Sequence, residues 1–240
     1  MTWDWAQYFQ ALSQELGKLH FGHPVDVIYN PLEYASLPLI QYCNRFGDSK
    51  KEILFLGMNP GPFGMVQTGI PFGEVQAVRN YLRIEAPVFR PVREHPRRPV
   101  EGFHCRRSEV SGKRLWHWIQ LHHPQPETFF ERCFVANYCP LAFLGVSGKN
   151  ITPEQLLQLP HAGNELFSIC DVALRQLVIY LDVRWVIGIG QFAARRARQA
   201  ISGLPVQVEA ILHPSPASPA ANRNWEQTVT IQLAALGLKI

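Results

Sequence analysis

The chain has 240 residues, of which 47% are hydrophobic and 18% charged, a balance that supports a packed core and excludes an intrinsically disordered chain. No run of 18 apolar residues occurs, which argues against a membrane-spanning helix, and the start, Met1-Thr2-Trp3-Asp4-Trp5, lacks the basic-then-apolar pattern of a secretory leader. The net charge is +4, but ten Lys/Arg against four Glu fall between Arg79 and Arg114, so one region is set to attract a polyanion while the rest stays nearly neutral.

In chain order, Trp5, Phe9, Leu12 and Leu16 recur at helical spacing, with Gly17 where a stop belongs. A second helix is predicted over 32–46, with Pro38 marking a kink or break. Four short apolar runs read as buried strands: 51–57, 133–137, 184–188 and 206–212. Helices are predicted over 74–84, 111–122, 163–181, 191–202 and 219–236, the last with Ser218 as N-cap and Pro219 at its first position. Trp116 and Trp118 point to opposite faces of their helix, so at least one belongs to the core. The Pro/Arg-rich stretch 86–110 reads as a long, functional loop. Strands alternating with helices imply an α/β fold with a parallel sheet covered on both faces, and the length suits a single domain spanning 1–240. The five cysteines (Cys43, Cys105, Cys133, Cys139 and Cys170) are odd in number and form no Cys-x-x-Cys pair, so buried thiols are expected rather than disulfides or an iron–sulfur cluster.

In such a sheet, ligands bind beyond the carboxyl ends of the strands. There the sequence places Gly57-Met58-Asn59-Pro60-Gly61-Pro62-Phe63-Gly64-Met65, Asn137-Tyr138-Cys139-Pro140, Gly188-Ile189-Gly190 and His213-Pro214-Ser215-Pro216. Two amides and an imidazole therefore converge on one edge. No Asp or Glu stands in the first or last of these motifs, so a carboxylate base is not expected. Gly-x-Ser-x-Gly and a P-loop are absent, and the histidines lack a metal spacing. Asparagine can read a base edge or hold a water but cannot deprotonate one. That chemistry suits a bond that breaks largely by itself.

The first of these motifs, continued by Gln67-Thr68-Gly69-Ile70-Pro71-Phe72-Gly73-Glu74-Val75, resembles the first motif of single-strand-selective monofunctional uracil-DNA glycosylases. His213-Pro214-Ser215-Pro216, running on to Asn222 and Trp225, resembles their second motif, and Asn137 to Leu141 and Ser108-Glu109-Val110-Ser111-Gly112 also fit. The resemblance covers about residues 50–236. It implies a three-layer α/β/α sandwich around a four-stranded parallel sheet, and a nucleotide rotated out of DNA into a pocket. The implied reaction is hydrolysis of the N-glycosidic bond of uracil, 5-hydroxymethyluracil and 5-formyluracil, without strand cleavage.

By that resemblance, Asn59 orients the attacking water and His213 stabilises charge growing on uracil O2. Asn137 reads N3–H and O4, Phe72 stacks on the base, the Met58 backbone contacts it, and Gly61 leaves open space beside C5. Lys149 and Asn150, within 147–160, would meet DNA, as would Gly190, Pro214, Ser215 and Ala217. Ala217 departs from the family, which often carries there an arginine that fills the gap left by the extruded base. The consequence is expected on double-stranded DNA. No metal or organic cofactor is implied. The implied partners are single- and double-stranded DNA, with no membrane, and the chain is expected to act as a monomer, at the nucleoid of a bacterium or in the nucleus of a eukaryote.

Two other classes stay open. Gly188-Ile189-Gly190-Gln191-Phe192-Ala193, with Glu209 about 20 residues on, fits a dinucleotide pattern and would make this an NAD-binding protein. Otherwise Gly190 opens a helix toward a DNA phosphate, or only lets strand and helix pack closely. The third class is a DNA reader with an inert pocket.

Overall fold

A computed structural model of the chain describes residues 3–157 and 162–240. Its centre is a sheet of four parallel strands in the order β3-β2-β6-β7, where β2 is Ile53–Gly57, β3 Cys133–Asn137, β6 Trp185–Ile189 and β7 Gln207–Ile211. These are the four predicted strands. Every residue of β2 is buried, as a central strand covered on both faces requires. The chain leaves β2 toward β3 on one side and later returns to β6 on the other. The switch point is therefore beside β2, where such sheets open a crevice.

Among the described residues, six helices reach ten residues or more: α1 Trp5–Leu16, α2 Ser36–Phe46, α3 Val110–His122, α4 Ala162–Leu181, α5 Gln191–Ala200 and α6 Pro219–Ala235. Asp4 caps α1 by accepting from the amides of Ala6 and Gln7, and Ser218 caps α6 by accepting from Ala221 N–H. Both tryptophans of α3 are buried because the helix is covered on two sides. Trp116 lies against Tyr81 and Phe130, and Trp118 against Phe55 and Trp225. All five cysteines are buried thiols.

The structure differs from the sequence reading in three places. The break in 32–46 falls at Ala35, not Pro38: a turn Pro31–Tyr34 precedes α2, and Pro38 sits in the first turn of α2, where its missing N–H costs nothing. Residues 74–84 form a single turn, Val75–Ala77, followed by a wide π turn, Val78–Leu82, that ends at Arg83 with φ of 56°. A second sheet was not foreseen: β1 Val25–Tyr29, β4 Ala142–Gly145 and β5 Asn150–Ile151 pair antiparallel in the order β1-β4-β5.

The long loop is largely irregular, as expected, but it is anchored. His95 Nε2 lies 3.1 Å from Val146 O, Arg98 Nε donates to Gly148 O at 3.0 Å, and Tyr29 Oη donates to Arg98 O at 2.6 Å. Arg98 thus braces the turn between β4 and β5, while Arg90 and Arg93 stay exposed.

Candidate active site

The carboxyl ends of β2, β3 and β7 meet around a hollow of about 470 Å³. Met58, Asn59, Gly61, Phe72, Asn137 and His213 line it, together with Asn150 and Ser215. The parallel register explains why. Gly57 pairs with Asn137, and the ladder continues past both strands, with Tyr138 N–H donating to Gly57 O and Cys139 N–H to Met58 O at 2.9 Å each. The two asparagines therefore emerge from adjacent strands onto one rim.

Asn59 donates through Nδ2 to Leu141 O at 3.4 Å, which turns its carbonyl oxygen away from that contact. Asn137 Nδ2 reaches Met65 Sδ at 3.2 Å, a weak acceptor, while Oδ1 is buried with no hydrogen-bond partner. An orphaned buried carbonyl costs about 1–3 kcal/mol unless something supplies a donor. Phe72 stands beside it in a left-handed conformation, φ 54°, that non-glycine residues rarely adopt. Its carbonyl accepts from Glu74 N–H at 2.7 Å and Trp116 Nε1–H at 3.0 Å, and a side chain at Gly112 would strike that same carbonyl at 2.1 Å. The loop and α3 thus hold the ring in a position it would not take by itself.

His213 lies with its ring centroid 6.3 Å from that of Phe72. Burial alone pulls its pKa down to about 4, so the imidazole is neutral at pH 7 and offers an N–H without a full charge. Arg114 on α3 steadies the following turn, donating to Pro214 O at 3.2 Å and Asn222 Oδ1 at 2.9 Å.

Of the expected DNA contacts, Asn150 and Ser215 line the hollow and Lys149, Gly190, Pro214 and Ala217 lie around it. Asn150 lines both the hollow and a neighbouring groove that holds Ser147 and exposed Lys149, and its Oδ1 is also buried without a partner. Pro214 is buried behind the rim, and Ala217 is exposed beyond it. Residues 158–160 of the expected DNA-meeting segment lie outside the described residues. Gly190 has φ of 96° and packs beneath His213, with the place of a Cβ 3.3 Å from His213 Cβ. Gly188 leaves no room for a side chain, whose Cβ would fall 2.4 Å from Ala194 N. The dinucleotide reading fails here: Glu209 sits mid-strand opposite Ile187, exposed and 3.6 Å from Arg198, not at the strand end where a ribose would be bound.

A carboxylate reaches the hollow from outside the end motifs: Glu109, delivered from the end of the long loop. One expectation is corrected: the space beside Gly61 is not open, since a Cβ there would lie 2.6 Å from the Glu109 carboxyl carbon. Gly57, Gly64 and Met65 also escaped sequence reasoning as site residues. The glycines matter because of what approaches them from elsewhere in the chain. Glu109 stands inside the Ser108–Gly112 stretch, and its position at the end of the long loop is the available signal.

Burial pushes the Glu109 pKa up to about 7, with Glu74 adding repulsion and the Gly112 amide opposing the rise. Glu109 and His213 therefore give opposite pH slopes to stability. His213 binds fewer protons folded than unfolded between pH 4 and 6.5, so its contribution rises with pH. Glu109 binds more between pH 4.5 and 7, so its contribution falls. Relative to wild type, Glu109→Gln should show stability that rises with pH across 4.5–6.5, by roughly 1 kcal/mol per unit, and His213→Asn the reverse. Denaturant melts at several pH values measure both.

The profile of the family described as the Uracil DNA glycosylase superfamily matches residues 45–234. The single-strand selective monofunctional uracil DNA glycosylase of Mus musculus is 52% identical over 229 residues, covering 95% of this chain and 81% of the relative. That of Bos taurus is 50% identical over 95% and 84%. The crystal structure of WT Pedobacter heparinus SMUG2 superposes with a TM-score of 0.64 over 96% of this chain and 97% of that one, at 16% identity, and so supports the fold alone. By a match that takes in all of β2, β3, β6 and β7 and the rim they build, the chain belongs to the uracil-DNA glycosylase superfamily, in its single-strand-selective monofunctional branch.

Proposed function

We propose that the hollow receives a uracil turned out of DNA and that Asn59, Asn137, Phe72 and His213 divide the work of removing it. Membership of the family makes the chain a DNA glycosylase. The observation that carries the division of labour is the orphaned Asn137 Oδ1, buried beside a ring held in a strained conformation. Uracil N3–H would supply the missing donor, and the Asn137 amide would donate to O4. Cytosine presents the opposite pattern and would leave both groups mismatched. Phe72 would stack on the base face.

His213, neutral, would donate to O2 as the base leaves. That bond strengthens as negative charge grows, so it favours the transition state over the bound substrate. The sugar develops cationic character, and Asn59 would hold the water that captures it. Among the described residues no lysine lines the hollow, which supports simple hydrolysis without a covalent amine intermediate. The volume of the hollow, and the flexible nature of the side-chain end beside Gly61, support acceptance of 5-hydroxymethyluracil and 5-formyluracil as well.

Lys149, Asn150, Ser215 and the positive loop would track the DNA backbone. Exposed Ala217 is too small to fill a base-sized gap, so duplex DNA should be the poorer substrate. The enzyme would act as a monomer, where DNA is kept: the nucleoid of a bacterium or the nucleus of a eukaryote. No helix among the described residues is long and apolar enough to cross a membrane.

The test is an excision panel: oligonucleotides carrying one uracil, 5-hydroxymethyluracil, 5-formyluracil or cytosine, single- and double-stranded, treated with alkali after incubation. Cleavage at the uracil-type bases only, faster in single strands, is expected. Binding to uracil-containing DNA without cleavage would favour an inert reader instead.

A further inference from the structure

The turn after β2 presents an aromatic ring that the reaction as described does not use. Phe63 lines the hollow and packs partly buried against the core, with two guanidinium groups gathered on its ring. Arg107 Cζ lies 4.0 Å from the ring centroid and Arg98 Cζ 5.3 Å. Arg98 donates to the carbonyls of Gly148 at 3.0 Å and Arg97 at 3.3 Å. Arg107 is exposed and, among the described residues, its side chain makes no hydrogen bond or ion pair.

This cluster is braced from beneath. Buried Gln67 donates through Nε2 to Pro62 O at 3.0 Å and Pro99 O at 3.1 Å, and its Oε1 accepts from the amides of Glu101 at 2.8 Å and Gly102 at 3.1 Å. One side chain thus ties the turn that bears Phe63 to the loop that bears both arginines. Like charges on one ring repel, and among the described residues no carboxylate pairs with either, so the cluster favours a passing polyanion. Phe63 covers one side of the Arg107 plane. The other side is open.

We infer that the open face of Arg107 stacks the base of a nucleotide flanking the everted uracil, and that this contact favours single-stranded over double-stranded DNA. The inference rests on the base-excision reading of the hollow. Ser108, next in the chain, lines the hollow, so a base on Arg107 and a base in the hollow belong to neighbouring nucleotides. In a single strand the neighbour is free to swing onto a planar cation. In a duplex it is paired and stacked, and reaching Arg107 would cost that pairing.

The experiment measures kcat/KM for uracil release by wild type, Arg107→Ala and Arg107→Lys on three substrates: a single strand, the same strand in duplex, and a single strand whose two nucleotides beside the uracil lack bases but keep their phosphates. Lysine retains the charge and loses the plane. On the ordinary single strand both variants should fall about tenfold below wild type, the size of one lost base stack. All three proteins should act alike on the duplex and on the strand with abasic flanks. Rescue by Arg107→Lys, or a loss in Arg107→Ala that persists with abasic flanks, would show that the contact is to phosphate and overturn the inference. An unchanged single-strand rate in Arg107→Ala would overturn it too, with base excision intact. A wild type that releases uracil from none of the substrates would overturn the base-excision reading itself.

Discussion

His213→Ala is expected to slow uracil release by about 10²–10³-fold with the fold intact, the loss typical of removing one preorganised donor from a developing oxyanion. The side chain lies at a rim beyond β7 rather than in the sheet, so its removal leaves the core packing alone. The pH behaviour distinguishes this role from that of a cationic catalyst. With its pKa near 4, His213 stays neutral through the ordinary pH 6–7 range of a histidine. Loss of wild-type activity as pH rises through 6.5, removed by His213→Ala, would show instead that the imidazolium is the working form. The measurement is a single-turnover rate against pH on a single-stranded uracil substrate.

Gly57→Ala should be nearly as damaging although Gly57 touches no reacting atom. A Cβ there would lie 2.2 Å from Asn137 Oδ1 and 2.5 Å from Phe72 Cε2. Both are side-chain ends, so the protein can fold by moving them, but it moves two walls of the pocket at once. Displacement near 1 Å in a positioning group costs on the order of 10²-fold in rate. The expected result is a fall of that size in kcat/KM with a cooperative melt retained. A variant with unchanged kcat/KM would mean that the Asn137–Phe72 contact across Gly57 has no bearing on the base.

These two residues mark where the sequence was legible and where it was not. Asn59, Asn137 and His213 stand out because each ends an apolar run, and a strand of five residues is a local signal. Their convergence followed from parallel strands alone, and the structure brings them to one hollow. Gly57 reads as a strand terminator, because nothing near it in sequence shows that Asn137 and Phe72 will close over it. Gly64 is silent for the same reason, its neighbour Glu109 being forty-five positions away. No Asp or Glu stands in the first or last strand-end motif, and the carboxylate that lines the hollow, Glu109, comes from the distant loop. The second sheet was hidden for a simpler reason: β5 has only two residues, and β4 is buried throughout, so neither shows a strand's alternation. Ala35 broke its helix without any proline or glycine to announce it.

The most direct trial of the shared pocket is a titration with free uracil, the reaction product, followed by nitrogen-15 resonances of the Asn59 and Asn137 side-chain amides and the His213 ring. If one base occupies one hollow, all three shift together along a single saturation curve. Shifts confined to one residue, or three curves with different midpoints, would mean that the groups face separate spaces and that no common grip on a pyrimidine exists.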